Sequence, residues 1–174
     1  MGALLLASSF ETAETETLQL LLEQGQERLK QQVELAVSAD ARAQGLLTAA
    51  AGFAAAAVTG AATIPALATG AIVAAGFWGV GAAAAIRAMR PVGVHVPGWP
   101  PSWLAEDVRS QKSHRRIIGE VLVSLDVMIE ENRKIMQRNS NWTYCAMLML
   151  IAAPFAALAA AFAALHGVIA PLSL

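Results

Sequence analysis

Two long stretches of this 174-residue chain hold no charged side chain, and their lengths constrain the fold more than any other feature. The first, Ala43 to Ile86, runs for 44 residues without an Asp, Glu, Lys or Arg. The second follows Arg138 and contains Trp142–Leu165, 24 residues long. A helix rises about 1.5 Å per residue and a bilayer core is about 30 Å thick, so roughly 20 apolar residues cross it once. The first stretch has a break near its middle, Thr59-Gly60-Ala61-Ala62-Thr63-Ile64-Pro65. Divided there it gives two spans, Ala43–Ile64 and Ala66–Ile86, of 22 and 21 residues. A charge at mid-span costs about 2.5–3.5 kcal/mol on insertion scales, so three uncharged spans fit avoidance of that cost. The competing reading is an alanine-rich hairpin buried in a large soluble assembly. Leu46, Leu47, Phe53, Val58 and Ile64 each contribute only about −0.5 kcal/mol to insertion, so the first two spans are expected to insert as a pair.

Composition points the same way. Hydrophobic residues make up 56% of the chain and charged residues 14%. The excess is alanine, with few aromatic or β-branched residues, which favours helix over strand. The expected fold is therefore all-α: an integral membrane protein with about three transmembrane helices and long cytoplasmic helical extensions. A net charge of −1 gives no basis for nucleic acid as a partner; the bilayer is the expected one. The single cysteine, Cys145, excludes an internal disulfide and a cysteine-based metal site, and reads as a buried thiol rather than a palmitoylation site. Met1 to Ala7 is apolar but short, with no basic residue before it, and does not read as a signal peptide. Gly2 opens a myristoylation pattern that fails at Leu6, where Ser or Thr is needed.

The charges fall in two blocks, Glu11 to Arg42 and Arg87 to Arg138. Arg87, Arg90, Arg133, Lys134 and Arg138 flank the spans, whereas Gly60–Thr69 and His166–Leu174 carry no Lys or Arg. The positive-inside rule then places both blocks and the N-terminus in the cytoplasm, and the hairpin tip and C-terminus outside. Trp142 and Tyr144 suit interfacial anchors. Trp78 lies too deep for that and reads as a packing residue.

Five segments follow. Residues 1–42 form a cytoplasmic amphipathic helix, opened by a Ser8/Glu11 capping box and by Glu14 and Glu16 at the positive end of its dipole. Its apolar face is Leu18, Leu22, Leu29, Val33, Ala36 and Val37. No proline interrupts it before the transmembrane hairpin, 43–86. A loop with four prolines and two glycines occupies most of 87–102, with Trp99 and Trp103 placed to rest on the membrane and His95 a loop residue rather than a ligand. Ser102 can cap a helix over 103–141, with Glu106 and Asp107 in its first turn. A heptad seam follows through Leu104, Val108, Gln111, Arg115, Ile118, Leu122, Leu125, Ile129, Asn132 and Met136, weakest at Gln111 and Arg115. Asn132 is a polar seam residue of the kind that fixes register. The seam is expected to pair with the Leu18–Val37 face within the chain and also to assemble a homo-oligomer. The helix is expected to run on through Asn141 into the last segment, 142–174, the third span and an outer tail.

Chemistry-bearing motifs are missing from the sequence. There is no G-x-x-x-x-G-K, G-x-S-x-G or H-E-x-x-H pattern, and His95, His114 and His166 fall in separate segments. Glu130 and Glu131 are adjacent and point to different faces of a helix. No enzyme, cofactor or metal site is expected. Lys112, His114, Arg115 and Arg116 form a basic cluster; a solvated helix face is the favoured reading, and contact with lipid headgroups or a phosphate ligand the sharper one. With no ionisable group inside the spans, a pump or coupled transporter is disfavoured. Small residues Gly45, Gly52, Ala56 and Gly60 share a face of the first span, and Gly70, Ala74 and Gly81 recur in the second, as at close helix contacts. Unspecific alanine-rich contact is the plainer alternative.

A cytoplasmic helix ending in Asp40-Ala41-Arg42-Ala43 leads into a two-span hairpin, and after a Pro-rich return Glu131-Asn132-Arg133-Lys134 precedes another span. This arrangement resembles the Pycsar effector transmembrane domain family of bacterial antiphage systems, over about Leu18 to Leu165. Asp40, Arg42, Asn132 and Lys134 are the positions that match its motifs. The resemblance implies an oligomeric effector of the bacterial inner membrane that impairs or permeabilises that membrane when triggered. Members are often fused to a cyclic nucleotide-binding domain, and no β-rich segment or phosphate-binding loop here could be one. A separate sensor protein, a nucleotide signal held by the cytoplasmic helices, or no signal at all remain as forms of control. A phage-type holin shares the size and span number, but 97 of 174 residues on the cytoplasmic side exceed what a simple pore former needs. A membrane scaffold or an ion channel subunit completes the alternatives, although no selectivity filter can be read.

Overall fold

The structure is a computed structural model that describes residues 10, 13–64, 67–90, 93–98 and 101–167, apart from the side chains of Pro101 and Leu104. The Ser8/Glu11 capping box, Pro65, Trp99, the Leu104 side chain of the seam and the tail beyond Gly167 lie outside that set. The described regular structure is helical throughout: α1 (Thr15–Thr63), α2 (Ala68–Ala88), α3 (Pro101–Arg109) and α4 (His114–Leu165). Three of these, α1, α2 and α4, are long and apolar enough to cross a membrane.

The chain divides into two compact units. The first combines Met1–Val37 with Val92–Met136. Here the N-terminal part of α1 lies along that of α4, and the contacts climb both helices together. Leu18 meets Ile118 and Leu122. A Cβ on Gly25 would run into the Leu125 side chain. Farther on, the Gln32 amide Nε2 donates to the Ile129 carbonyl at 3.2 Å. The two helices are therefore parallel. Positions 18, 25 and 32 are one heptad apart, which is the spacing that keeps one stripe of a helix on a partner helix.

The second unit combines Ser38–Pro91 with Gln137–Leu174. Within it α2 runs antiparallel to both neighbours. Ala84 and Ala85 pack with Ala146, with Leu46, Leu47 and Cys145 around them. Toward the other end of α2, Gly70 faces Ala157 and Ala161. The result is an up-down-up set of three apolar helices.

One expectation is corrected. The seam helix does not run unbroken from 103: α3 stops at Arg109 and α4 begins at His114. Ser110, Gln111 and Lys112 close α3 with backbone bonds, Gln111 N–H to the Val108 carbonyl and Lys112 N–H to the Asp107 carbonyl. Gln111 takes a φ of 52°. These are the 5→2 and 6→1 bonds of a Schellman stop, which needs a left-handed residue at this place. Glycine or asparagine is the usual signal; glutamine hides it. Ser113 then starts α4, its hydroxyl accepting from the Arg116 N–H. At the other end α3 begins at Pro101, so Ser102 lies inside the first turn rather than before it; a proline's fixed φ suits that opening position.

Candidate membrane-spanning bundle

The last part of α4 presents most of its large side chains away from the protein. Tyr144, Leu148, Ile151, Phe155, Leu158, Phe162 and Leu165 follow one another at alternating steps of four and three, so they form one stripe. That stripe is exposed, Phe155 by 69% and Leu158 by 70%. The opposite face carries Ala146 and Ala153, each fully buried. A helix folded in water does the reverse, because burying a leucine or phenylalanine side chain is worth about 1.5–3 kcal/mol. In lipid that drive vanishes, since hydrocarbon is as apolar as leucine, and small side chains gain by letting backbones approach.

Close approach is what the buried glycines provide. A Cβ on Gly70 would come within 2.7 Å of the Ala157 carbonyl oxygen, and one on Gly81 within 3.2 Å of Met149 Cβ. Ala74 is buried on the same helix. These positions join α2 to α4. Gly45, Gly52 and Gly60 on α1 differ: a Cβ on any of them meets nothing within 4 Å. Ala56 is exposed, as are Gly45 and Gly52, and Gly60 is half-buried. The small residues thus separate into an inner set between α2 and α4 and an outer set on α1 whose glycines have nothing of the described chain within 4 Å of a Cβ.

Polar groups within the bundle are satisfied locally. The Thr48, Thr59 and Thr63 hydroxyls each donate to the carbonyl four residues earlier, at 3.0, 3.0 and 3.1 Å. This back-bonding lets a hydroxyl dispense with water. Pro154 sits inside α4 and has no N–H to give to the Leu150 carbonyl. The Trp78 indole Nε1–H of α2 donates to that carbonyl at 3.4 Å. Trp78 also lies beside Phe53, ring centroids 5.4 Å apart, so it links all three helices. Its depth in the span marks it as a packing residue; the hydrogen bond to the proline-orphaned carbonyl goes beyond that reading, and a tryptophan and a proline within uncharged spans are the signal for it. At one end of the bundle the Arg87 guanidinium stands 5.7 Å from the Trp142 ring centroid, the combination of cation and aromatic found at a membrane surface. At the other end the His166 imidazole stacks on Phe162, and Gly167 with φ 70° ends the helix.

In the first unit the seam residues Ile118, Leu122 and Leu125 are buried, Ile129 is half-buried, and all four face α1. Arg115 and Val108 are exposed. Gly25 and Gln32 of the facing stripe were not among the expected apolar positions. Asn132, fully buried, turns to the Pro-rich loop. Its Oδ1 accepts from the His95 N–H and its Nδ2 donates to the His95 carbonyl, both at 2.9 Å. The His95 ring nitrogen Nε2 lies 2.7 Å from Glu131 Oε2. The basic cluster is occupied by carboxylates. Lys112 Nζ is 2.6 Å from Asp107 and 2.9 Å from Glu120, and Arg116 is 3.3 Å from Glu120. Hydrogen bonds from Lys112 and then Arg116 hold the Glu120 carboxyl below its ordinary range, and Asp107 and Glu120 raise Lys112. Arg133 likewise lowers Glu130. Of the four family-like positions, Asn132 holds the loop and Lys134 lies 3.9 Å from Glu130. Arg42 donates to the Ser38 carbonyl at 3.3 Å, and Asp40 is exposed. Among the described residues no group of three His, Cys, Asp or Glu side chains could hold a metal ion.

No family model matches the chain, and neither a curated protein nor a solved structure is similar to it.

Proposed function

We propose that this chain is an integral protein of the bacterial inner membrane whose copies assemble to impair or permeabilise that membrane, as an antiphage effector would. The observation that carries the membrane part is the inverted side-chain distribution of α4, large residues outward and alanine inward. Parallel contacts in the first unit agree with it, because helices that enter a bilayer from the same face must run the same way.

The single-copy bundle is closed. Alanine and glycine bring backbones together where a channel would have to pass, and no Asp, Glu, Lys, Arg or His lies within the spans. A leak therefore needs several copies, and the outer face of α1 at Gly52, Ala56 and Gly60 is the surface left to join them. Dye uptake and membrane potential in cells induced to make the protein test the proposal. Depolarisation that is lost when Gly52 is enlarged supports it; intact potential at high expression and with phage challenge contradicts it.

A further inference from the structure

The cytoplasm-facing end of α2 holds two arginines that no described acidic side chain neutralises. Among the described residues neither Arg87 nor Arg90 has a carboxylate partner, whereas Arg109, Lys112, Arg116, Arg133 and Lys134 each have one. The unit that contains them has Asp40 as its only acid in the sequence, against Arg42, Arg87, Arg90 and Arg138. An open groove of about 390 Å³ runs past the two, lined by Ala83, Ile86, Arg87, Met89 and Arg90. It is apolar toward the span and cationic toward the helix end. The Arg87 contact with Trp142, at the head of the third span, sets its depth at the level where tryptophan meets headgroups.

We propose that this groove binds an anionic phospholipid, one acyl chain along Ala83 and Ile86 and the phosphodiester between Arg87 and Arg90. The inference rests on the membrane reading above. Guanidinium groups match phosphate oxygens in pairs, and two of them without a counter-ion favour a headgroup of net negative charge over a zwitterionic one whose ammonium already offsets the phosphate.

The test is native mass spectrometry of the full chain, extracted in detergent and offered equal phosphatidylglycerol and phosphatidylcholine. The wild type retains phosphatidylglycerol preferentially. Arg90→Gln, which leaves the Arg87–Trp142 contact in place, weakens retention about 5-fold, and Arg87→Gln/Arg90→Gln about 30-fold, at about one phosphate-to-arginine contact each. Arg109→Gln leaves retention unchanged. Equal retention of both lipids, or wild-type retention by Arg90→Gln, overturns the site while leaving the membrane reading intact. Displacement of phosphatidylglycerol by millimolar inorganic phosphate also overturns it, in favour of a soluble anion. A chain that needs no detergent to leave the membrane fraction overturns both.

Discussion

The Trp78 indole N–H donates to the Leu150 carbonyl at 3.4 Å, and that carbonyl is the one Pro154 cannot serve. The proline and the tryptophan therefore form one device, in which a side chain on α2 replaces a backbone bond missing from α4. Unpaired backbone groups are costly in hydrocarbon, so the replacement is required more there than in water. Trp78→Phe keeps the ring and loses the donor, and is expected to destabilise the bundle by about 0.5–2 kcal/mol. In a Pro154→Ala background the helix supplies its own N–H, and the same substitution should cost markedly less. Unfolding of the four proteins in mixed micelles measures the coupling; equal costs in both backgrounds would break the link.

Asn132 binds backbone, not the His95 side chain, and this separates two effects. Asn132→Ala leaves the His95 N–H and carbonyl without partners beside α4 and should cost about 1–3 kcal/mol. His95→Ala removes only the exposed contact with Glu131 and should cost less. Limited proteolysis at Gly93–Gly98 reads both: rapid cleavage is expected in Asn132→Ala and near-normal resistance in His95→Ala.

Two glycines of similar sequence setting should respond oppositely to a methyl group. Gly70→Ala would press its Cβ on the Ala157 carbonyl oxygen, a backbone atom that cannot swing aside, so α2 and α4 must separate. Gly52→Ala meets nothing in one copy and should gain up to about 1 kcal/mol of helix propensity. Gly52→Ile should leave the single-copy fold intact and reduce assembly, as measured by the mass of the detergent-solubilised complex.

The corner between α3 and α4 depends on Lys112, which bridges Asp107 and Glu120 across it. Glu120 is held below its ordinary range, so its contribution is present above that range and lost as the pH falls through the lowered value. Lys112 is raised, so its contribution is present below the ordinary lysine range and lost only as the pH rises through the raised value. Spin labels at Ala105 and Val127, in a Cys145→Ser background, should show a narrow distance distribution at neutral pH that broadens as the pH falls below the ordinary carboxylate range. Glu120→Gln should show that breadth already at neutral pH, and high salt should narrow the difference.

Much of this architecture is legible in the residues. The charge-free stretches mark three helices, and the absence of proline from Glu11 to Ile64 marks α1 as continuous across the described part. The seam from Ile118 to Leu125 follows from heptad spacing. What the residues conceal has physical causes. The stop at Gln111 uses a residue type seldom found left-handed, and its stability comes from backbone bonds and the Lys112 bridge, which no local pattern announces. Asn132 looks like a polar seam residue because spacing cannot say whether its amide turns to the facing helix or to a loop 37 positions earlier. Gly25 and Gln32 break an apolar pattern while sitting on its stripe, one to make room for Leu125 and the other to reach a carbonyl. In the spans, alanine is so frequent that sequence alone does not say which small residues face inward; geometry divides Gly70 from Gly52.

Hydrocarbon over the outward stripe of α4 is the central premise of the membrane reading. Photolabelling intact membranes with a lipid-soluble diazirine, followed by peptide mapping, addresses it directly. Label concentrated on Leu148, Ile151, Phe155, Leu158 and Phe162, with Ala146 and Ala153 spared, is the predicted result. An unlabelled stripe, in a protein that an alkaline wash releases from the membrane, would contradict it.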